Sequence, residues 1–236
     1  MLKREIKNLI TTIYIFFKQL IVVRLFPPKP SSPFRSLQFS GMACEKILSD
    51  LTFSTILDVG SGGGHHSALF ASHGKQVTAV DFGSSIYYQK HSDLIHFYSG
   101  GYYGMEFEEK FDVVWASHVL EHQPNPNNFI KKLVHDCKEH GYICITVPPM
   151  KHEIVGGHLS LWNAGLLLYH LCFAGIDCRG ASILKYGYNI SIIVQKRPIE
   201  TYPELAYDSG DIDQFAPYLP EGLREGFNGN IDRLNW

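Results

Sequence analysis

Short apolar runs alternate with helical stretches through the central part of the chain. Five of these runs predict buried β-strands, at residues 55–59, 76–80, 95–98, 111–116 and 141–147. Helical patterns separate most of them, and a further short helical pattern over residues 41–51 precedes the first. Short apolar strands joined by crossovers favour a parallel sheet with helices on both faces, and such sheets bind ligands at the carboxyl ends of their strands.

The pattern changes after Pro148-Pro149, where a loop rich in His and Gly precedes a predicted helix over 161–174. Gly175 suits the end of that helix. Two last strands, 181–185 and 189–195, are separated by only three residues, so they must form an antiparallel hairpin. The predicted fold is therefore a doubly wound, Rossmann-like α/β domain with a seven-stranded, mostly parallel sheet and an antiparallel C-terminal hairpin.

The flanking segments differ from this core. Residues 1–26 predict a basic amphipathic helix, which is interrupted by Lys18 and Gln19 and is too short in its apolar part for a transmembrane span or a signal peptide. It would pack on its own domain, on a second subunit or on an anionic membrane surface. A proline-rich linker ends the segment, which gives three predicted units: 1–33, the 34–197 domain and a 198–236 tail that either wraps the domain or stays mobile.

The composition of the chain limits the kinds of partner that it is expected to bind. The chain has 236 residues and a net charge of -2, so it has no basic field that would attract nucleic acid, and a small-molecule acceptor fits better. Its five cysteines are scattered and odd in number, which argues against a disulfide framework and favours the cytoplasm and buried, apolar thiols. Peripheral membrane contact through residues 1–26 and a homo-oligomeric state remain open.

A glycine-rich loop follows the first predicted strand. Gly60, Gly62 and Gly64 alternate there, so the backbone can turn sharply and a ligand can approach the main chain. Asp81 ends the next strand, where an acidic residue commonly accepts hydrogen bonds from ribose hydroxyls. A dinucleotide site would place Gly or Ala where His65 stands, and a phosphate-binding loop would need a Walker lysine that is missing here.

Three segments together resemble the class I S-adenosylmethionine-dependent methyltransferases: Leu57-Asp-Val-Gly-Ser-Gly-Gly-Gly64, Val77-Thr-Ala-Val-Asp81 and Phe111-Asp-Val-Val-Trp-Ala-Ser-His-Val-Leu-Glu-His122. The similarity covers roughly residues 41–197. It implies an enzyme that uses S-adenosyl-L-methionine as cofactor. It also implies the antiparallel seventh strand of that family's sheet.

The resemblance also implies roles for single residues. Gly60, Gly62 and Gly64 would line the methionine part of the cofactor, Asp81 would hold the ribose, Phe82 would lie against the adenine, and Asp58 would orient the amino end. Ser61, Ser99, Ser117 and His118 complete the predicted cofactor contacts. Many relatives carry an acidic adenine contact after the third strand, but here residues 97–102 offer none, so Ser99, backbone groups or Asp93 would have to replace it.

Methyl transfer to a hydroxyl needs a proton acceptor, and histidine titrates in the right range. The candidates are His118 and His122 after the fourth strand, with Glu121 on the same predicted helical face, and His152 and His158 in the loop after the fifth. Trp162 and Tyr169 could present apolar faces to the acceptor. Each histidine could equally be structural. These groups could converge on a metal, but without an established ligand spacing no metal is predicted.

Three functions remain open on the sequence. The first is O-methylation of a small molecule or saccharide. The second is N- or C-methylation of a lipid-like acceptor, which the amphipathic N-terminal segment would suit. The third is a non-catalytic, cofactor-binding regulatory module.

Overall fold

The computed structural model describes residues 28–84, 95–153, 155–208, 210–221, 223 and 229–236. Within these residues the strands form one eight-stranded sheet in the order β3-β2-β1-β4-β5-β7-β6-β8. The strands are β1 (Thr55–Val59), β2 (Gln76–Asp81), β3 (His96–Ser99), β4 (Phe111–Ser117), β5 (Cys137–Val147), β6 (Ser182–Tyr186), β7 (Asn189–Gln195) and β8 (Arg233–Leu234). Strands β1 to β5 pair in parallel, whereas β7 is antiparallel to both β5 and β6.

The predicted Rossmann-like fold with its antiparallel hairpin is confirmed. Strand β8 is an addition: it comes from the tail and pairs antiparallel with β6, through Ile183 opposite Leu234 and Leu184 opposite Arg233. A two-residue strand with no apolar alternation leaves no pattern in the sequence, which explains why only seven strands were predicted.

The helices are α1 (Gly41–Asp50), α2 (His65–Ser72), α3 (Pro126–Asp136), α4 (Ala164–Phe173) and α5 (Asp211–Gln214). Helix α4 begins at Asn163, whose side chain accepts a hydrogen bond from the Leu166 amide at 2.8 Å. It ends before Gly175, which adopts a left-handed φ of 90° and donates its amide to the Cys172 carbonyl, as the sequence predicts.

Helices cover both faces of the sheet. Ile56 points to the face packed by α1 and α2, and the next residue, Leu57, points to the face packed by α3 and α4. Both side chains are fully buried. The continuous apolar runs that predicted the strands therefore reflect burial on two sides.

The tip of the β6–β7 hairpin lies at the edge of the sheet where the parallel strands have their carboxyl ends. Tyr186 pairs with Asn189 at the turn, and Ile190 lies opposite Val147, the last residue of β5. Because β4 and β5 are parallel, their carboxyl ends and the hairpin tip share one edge. Tyr188 and Asn189 therefore lie beside the segments that follow β4 and β5.

The flanking segments are described only in part. The predicted helix over residues 1–26 and Asp93 lie outside the described residues. In the tail, Phe215 is fully buried and Leu219 packs into the same core as α4. All five cysteines are free and buried, as predicted. No helix in the described parts of the chain is long and apolar enough to span a bilayer.

Candidate active site

The glycine loop turns directly over the end of β1. Gly60 and Ser61 both donate their amides to the Val80 carbonyl, at 2.8 and 3.1 Å, so the loop is fastened to β2. Gly60, Gly62 and Gly64 all have left-handed φ values, 71°, 50° and 70°. A side chain would be strained at each position, which is the physical reason that glycine recurs at this spacing.

Space as well as conformation requires glycine at position 60. A Cβ atom built on Gly60 would lie 2.3 Å from Cγ2 of Val119, in the segment after β4. The bare main chain of the loop thus packs against that segment. The ends of β1 and β4 are held together at the edge where the fold places its ligands.

Asp81 links the glycine loop to the end of β2. Its Oδ2 accepts from the Gly62 amide at 3.0 Å and its Oδ1 from the Gly83 amide at 3.1 Å. The next side chain, Phe82, is 68% exposed, with its ring edge against the backbone of Gly101. Ser99 pairs with Asp81 across the β2–β3 ladder and donates its hydroxyl to the Phe82 carbonyl. These three predicted contact residues therefore share one surface.

Asp58 and Ser61 lie deeper. Asp58 is 1% exposed and accepts a hydrogen bond from the Ser67 hydroxyl of α2, so its carboxylate supports the loop from below. Ser61 is also buried. The predicted contact of Asp58 with the amino end of the cofactor and that of Ser61 with the cofactor stay predictions.

Ser117 is the last residue of β4, and His118 follows it. Both lie at the edge of the sheet where the sequence predicts the acceptor to bind. The Ser117 hydroxyl lies 2.6 Å from the hydroxyl of Ser40, the residue before α1. His118 has a left-handed φ of 57°, which is uncommon outside glycine and frequent at functional positions. Its ring centroid lies 4.1 Å from that of Phe39 and 6.0 Å from that of Tyr188. The imidazole is therefore held between two aromatic rings.

Hydrogen bonds determine the orientation of the His118 ring. The Asn189 side chain accepts at Oδ1 from the Ser40 amide and donates at Nδ2 to the Tyr186 carbonyl, so its orientation is determined. Nε2 of His118 lies 3.0 Å from that same Oδ1 and must donate to it. In the neutral ring Nδ1 then carries a bare lone pair, and this atom lies 3.3 Å from Oε1 of Glu121.

Glu121 is a fully buried carboxylate on the short 3-10 helix Leu120–His122. The sequence analysis expected an α-helix here, with Glu121 one turn beyond His118. The structure instead has a left-handed His118 followed by the short 3-10 helix, and this backbone brings the two side chains together. Oε1 also lies 3.9 Å from Nε2 of His122. Neither carboxylate oxygen has a hydrogen-bond partner among the described residues, although a buried carboxylate normally needs one.

The structure brings His158 to the same place. The rings of His122 and His158 meet edge to face with centroids 4.9 Å apart. The loop that carries His158 is fastened by the Leu159 amide, which donates to the Glu121 carbonyl at 2.7 Å. Burial lowers the pKa of His158 below its ordinary value, so its imidazole is neutral at pH 7.

A small cleft borders this cluster. Its lining includes Pro149, Lys151, His158 and Tyr188. Trp162 contributes from below but is 1% exposed, with its indole N–H donated to the Ser160 hydroxyl, so the expectation that it offers an open face to the acceptor is wrong. His152 is exposed and is not part of the group that Glu121, His122 and His158 form among the described residues.

Sequence reasoning missed Phe39, Ser40 and Asn189. Phe39 and Asn189 contact His118 directly from distant parts of the chain, and Ser40 donates its amide to the same Asn189 oxygen. The one signal available was the predicted hairpin, whose tip had to lie near the ends of β4 and β5.

Comparison with known proteins gives a consistent result. Residues 57–145 match the family model described as a methyltransferase domain. The chain is 37% identical over 103 residues to a ubiquinone biosynthesis O-methyltransferase of Rickettsia typhi, which covers 41% of this chain and 42% of that protein. A mitochondrial protein of the same name from Schizosaccharomyces pombe is 33% identical over 100 residues, 39% of this chain and 36% of that one. The chain thus spans less than half the length of these relatives.

Solved structures agree at the level of the fold. Human N-acetylserotonin methyltransferase in complex with SAM superposes with a TM-score of 0.53 at 16% identity, over 66% of this chain and 52% of that one. A Burkholderia thailandensis 1,6-didemethyltoxoflavin-N1-methyltransferase superposes with a TM-score of 0.51 at 19% identity, over 61% and 71%. These similarities are too low to carry a substrate from either protein to this one.

Proposed function

We propose that this chain is a class I methyltransferase that transfers the methyl group of S-adenosylmethionine to an oxygen atom of a small-molecule acceptor. The observation that carries the proposal is the glycine loop fastened to Asp81 within the matched residues 57–145. The names of the similar proteins from Rickettsia typhi and Schizosaccharomyces pombe support oxygen as the methylated atom.

The residues at the edge of the sheet fit the cofactor. Gly60, Gly62 and Gly64 have no side chains and adopt left-handed φ values, so the loop presents bare main chain at the edge where this fold binds ligands. Each oxygen of the Asp81 carboxylate accepts one amide and retains a further lone pair, so the side chain can also accept from a ribose diol. Phe82 offers an exposed ring of the kind on which an adenine stacks. S-adenosylmethionine, when bound, supplies an electrophilic methyl group on a positively charged sulfonium.

The acceptor side offers proton acceptors. A hydroxyl must lose its proton during methylation, and an acceptor near neutral pKa within hydrogen-bond reach promotes that loss. Glu121, His122 and His158 lie together beside the cleft, and neutral His158 lines it. His118 acts through Glu121, since its two ring nitrogens already face Asn189 and that carboxylate.

Two measurements on the full chain test the proposal. Isothermal titration calorimetry should detect S-adenosylmethionine binding, and radiolabelled methyl transfer should be seen with a phenolic diol or a monosaccharide but not with an ethanolamine phospholipid. Transfer to the phospholipid amine would replace the O-methyltransferase proposal with N-methylation. Binding without transfer to any acceptor class would favour a regulatory module, and absence of binding would overturn the whole proposal.

A further inference from the structure

One ring nitrogen of His118 and one of His122 converge on the buried carboxylate of Glu121. His122 donates its Nδ1 proton to the Gly157 carbonyl at 2.7 Å, so Nε2 of the neutral ring is bare, and it lies 3.9 Å from Oε1 of Glu121. Nδ1 of His118, the ring nitrogen that does not face Asn189, lies 3.3 Å from the same oxygen. Both oxygens of the buried carboxylate lack hydrogen bonds within the described residues. Such an arrangement calls for a positive charge among these atoms.

We propose that Glu121, His122 and His158 bind a divalent cation of the zinc type. One potential ligand atom from each of the three residues lies within 4.8 Å of the other two. Zinc–nitrogen and zinc–oxygen bonds of about 2.0–2.1 Å place tetrahedral ligands about 3.4 Å apart, so the 3.9 Å pair must close by about half an ångström and a pair at the 4.8 Å limit by about 1.4 Å. Two imidazoles and one carboxylate favour zinc over magnesium or calcium.

The surroundings of His122 match those of a metal ligand. Metal-binding histidines commonly donate the second ring N–H to a backbone carbonyl, which fixes the ring and leaves the other nitrogen free for the metal. The Gly157 carbonyl provides that bond. Gly157 has a left-handed φ of 80°, and a Cβ there would lie 3.3 Å from Nδ1 of His122, so glycine keeps this contact open.

Three protein ligands leave a tetrahedral cation with one open position, as in catalytic zinc sites. His158 also lines the cleft, so the proposed cation site borders the space proposed for the acceptor. A hydroxyl bound there would lose its proton more readily, because the cation stabilises the anion. This role rests on the proposed methyltransferase function, whereas cation binding itself does not.

The test uses the full chain after dialysis against a chelator, with no cofactor or acceptor present. Titration with cobalt(II) should produce visible absorption bands of a low-coordinate site at one equivalent, and calorimetry with zinc should give one site. Glu121→Gln, His122→Asn and His158→Asn should each weaken binding at least about tenfold. His152→Asn is the matched control from the same loop and should bind like the wild type.

Cobalt spectra that are unaltered in all three ligand variants would overturn the proposal, and so would an absence of binding by the wild type. The positive charge beside Glu121 would then come from a protonated histidine. Glu121 is buried and its variant could unfold, but His158 lies on the cleft-lining loop, so His158→Asn keeps the test valid. If the chain binds a cation but transfers no methyl group, the cation site is supported and the proposed methyltransferase function is not. If the chain transfers methyl groups but binds no cation, the methyltransferase function is supported and the cation site is not.

Discussion

The Oδ1 atom of Asn189 lies 3.0 Å from Nε2 of His118, and this hydrogen bond joins the tip of the β6–β7 hairpin to the end of β4. The two residues are 71 positions apart in the sequence. The bond directs the other ring nitrogen of His118 toward Glu121. The antiparallel hairpin thus helps to orient the groups proposed to act on the acceptor.

Replacing Asn189 with alanine should lower kcat about tenfold and leave the affinity for S-adenosylmethionine nearly unchanged. The loss of one hydrogen bond to a positioning residue is worth about 1–1.5 kcal/mol, close to a factor of ten. Asn127→Ala is the matched control, because Asn127 also bonds a backbone carbonyl from a half-buried site on α3. Equal kcat values for both variants would show that Asn189 does not position His118.

Replacing Asp81 with asparagine should weaken S-adenosylmethionine binding about 10- to 100-fold, since hydrogen bonds to a charged group are worth about 1.5–3 kcal/mol. The substitution keeps the shape and removes the charge. Calorimetry on the full chain measures the change. Asp50→Asn, at an exposed ion pair on α1, should bind like the wild type, and a normal affinity in Asp81→Asn would remove Asp81 from the cofactor site.

Gly60→Ala and Gly74→Ala separate steric collision from backbone strain. Both glycines have a left-handed φ, 71° and 74°, but a Cβ at position 74 meets nothing within 4 Å whereas one at position 60 meets Val119 at 2.3 Å. Gly74→Ala should cost about 1–2 kcal/mol of unfolding free energy, and Gly60→Ala about 1–3 kcal/mol more. Urea denaturation measures both.

The control for Gly60 is a double variant. Val119→Ala in the Gly60→Ala background should recover part of the additional loss, because it removes the colliding methyl groups. Equal free energies of unfolding for the two glycine variants would contradict the close approach of the loop to Val119.

His66 should make the folded state sensitive to acid. Burial lowers its pKa from 6.5 to about 4 while Nε2 donates to the Phe39 carbonyl. The unfolded chain therefore binds a proton below pH 6.5 that the folded chain refuses until about pH 4, so stability falls as the pH drops through that window. The loss amounts to at most about 3 kcal/mol.

A His66→Gln variant isolates this contribution, because glutamine keeps a hydrogen-bond donor and does not titrate. Urea midpoints measured between pH 7 and pH 4 should decline less steeply for the variant than for the wild type. Parallel pH dependences would mean that His66 is as accessible to protons in the folded chain as in the unfolded one.

The sheet could be predicted because its signal is local. The range of β1 and that of β7, Asn189–Gln195, agree with the sequence prediction to the residue, since both are short, mostly apolar runs next to glycine or turn residues. The cofactor loop was predictable for the same reason. Its glycines and Asp81 end consecutive strands, and parallel pairing places such ends side by side.

The acceptor side depends on contacts that no local pattern encodes. Ser40 and Asn189 meet through a hydrogen bond spanning 149 residues, and Trp162 looks available in the sequence until the packing of its loop is known. The burial of Glu121 follows from the loop that carries His158 folding over it. Charged residues are almost never fully buried without a partner, so the sequence alone gave no reason to expect this.

Strand β8 lies along β6 at one margin of the sheet, where a bare strand would otherwise present unpaired amide and carbonyl groups to other molecules. Residues 233–234 therefore cover part of the edge of β6. A version shortened before Arg233 is expected to keep its fold and to aggregate more readily. An affinity tag for purification is better placed away from this end.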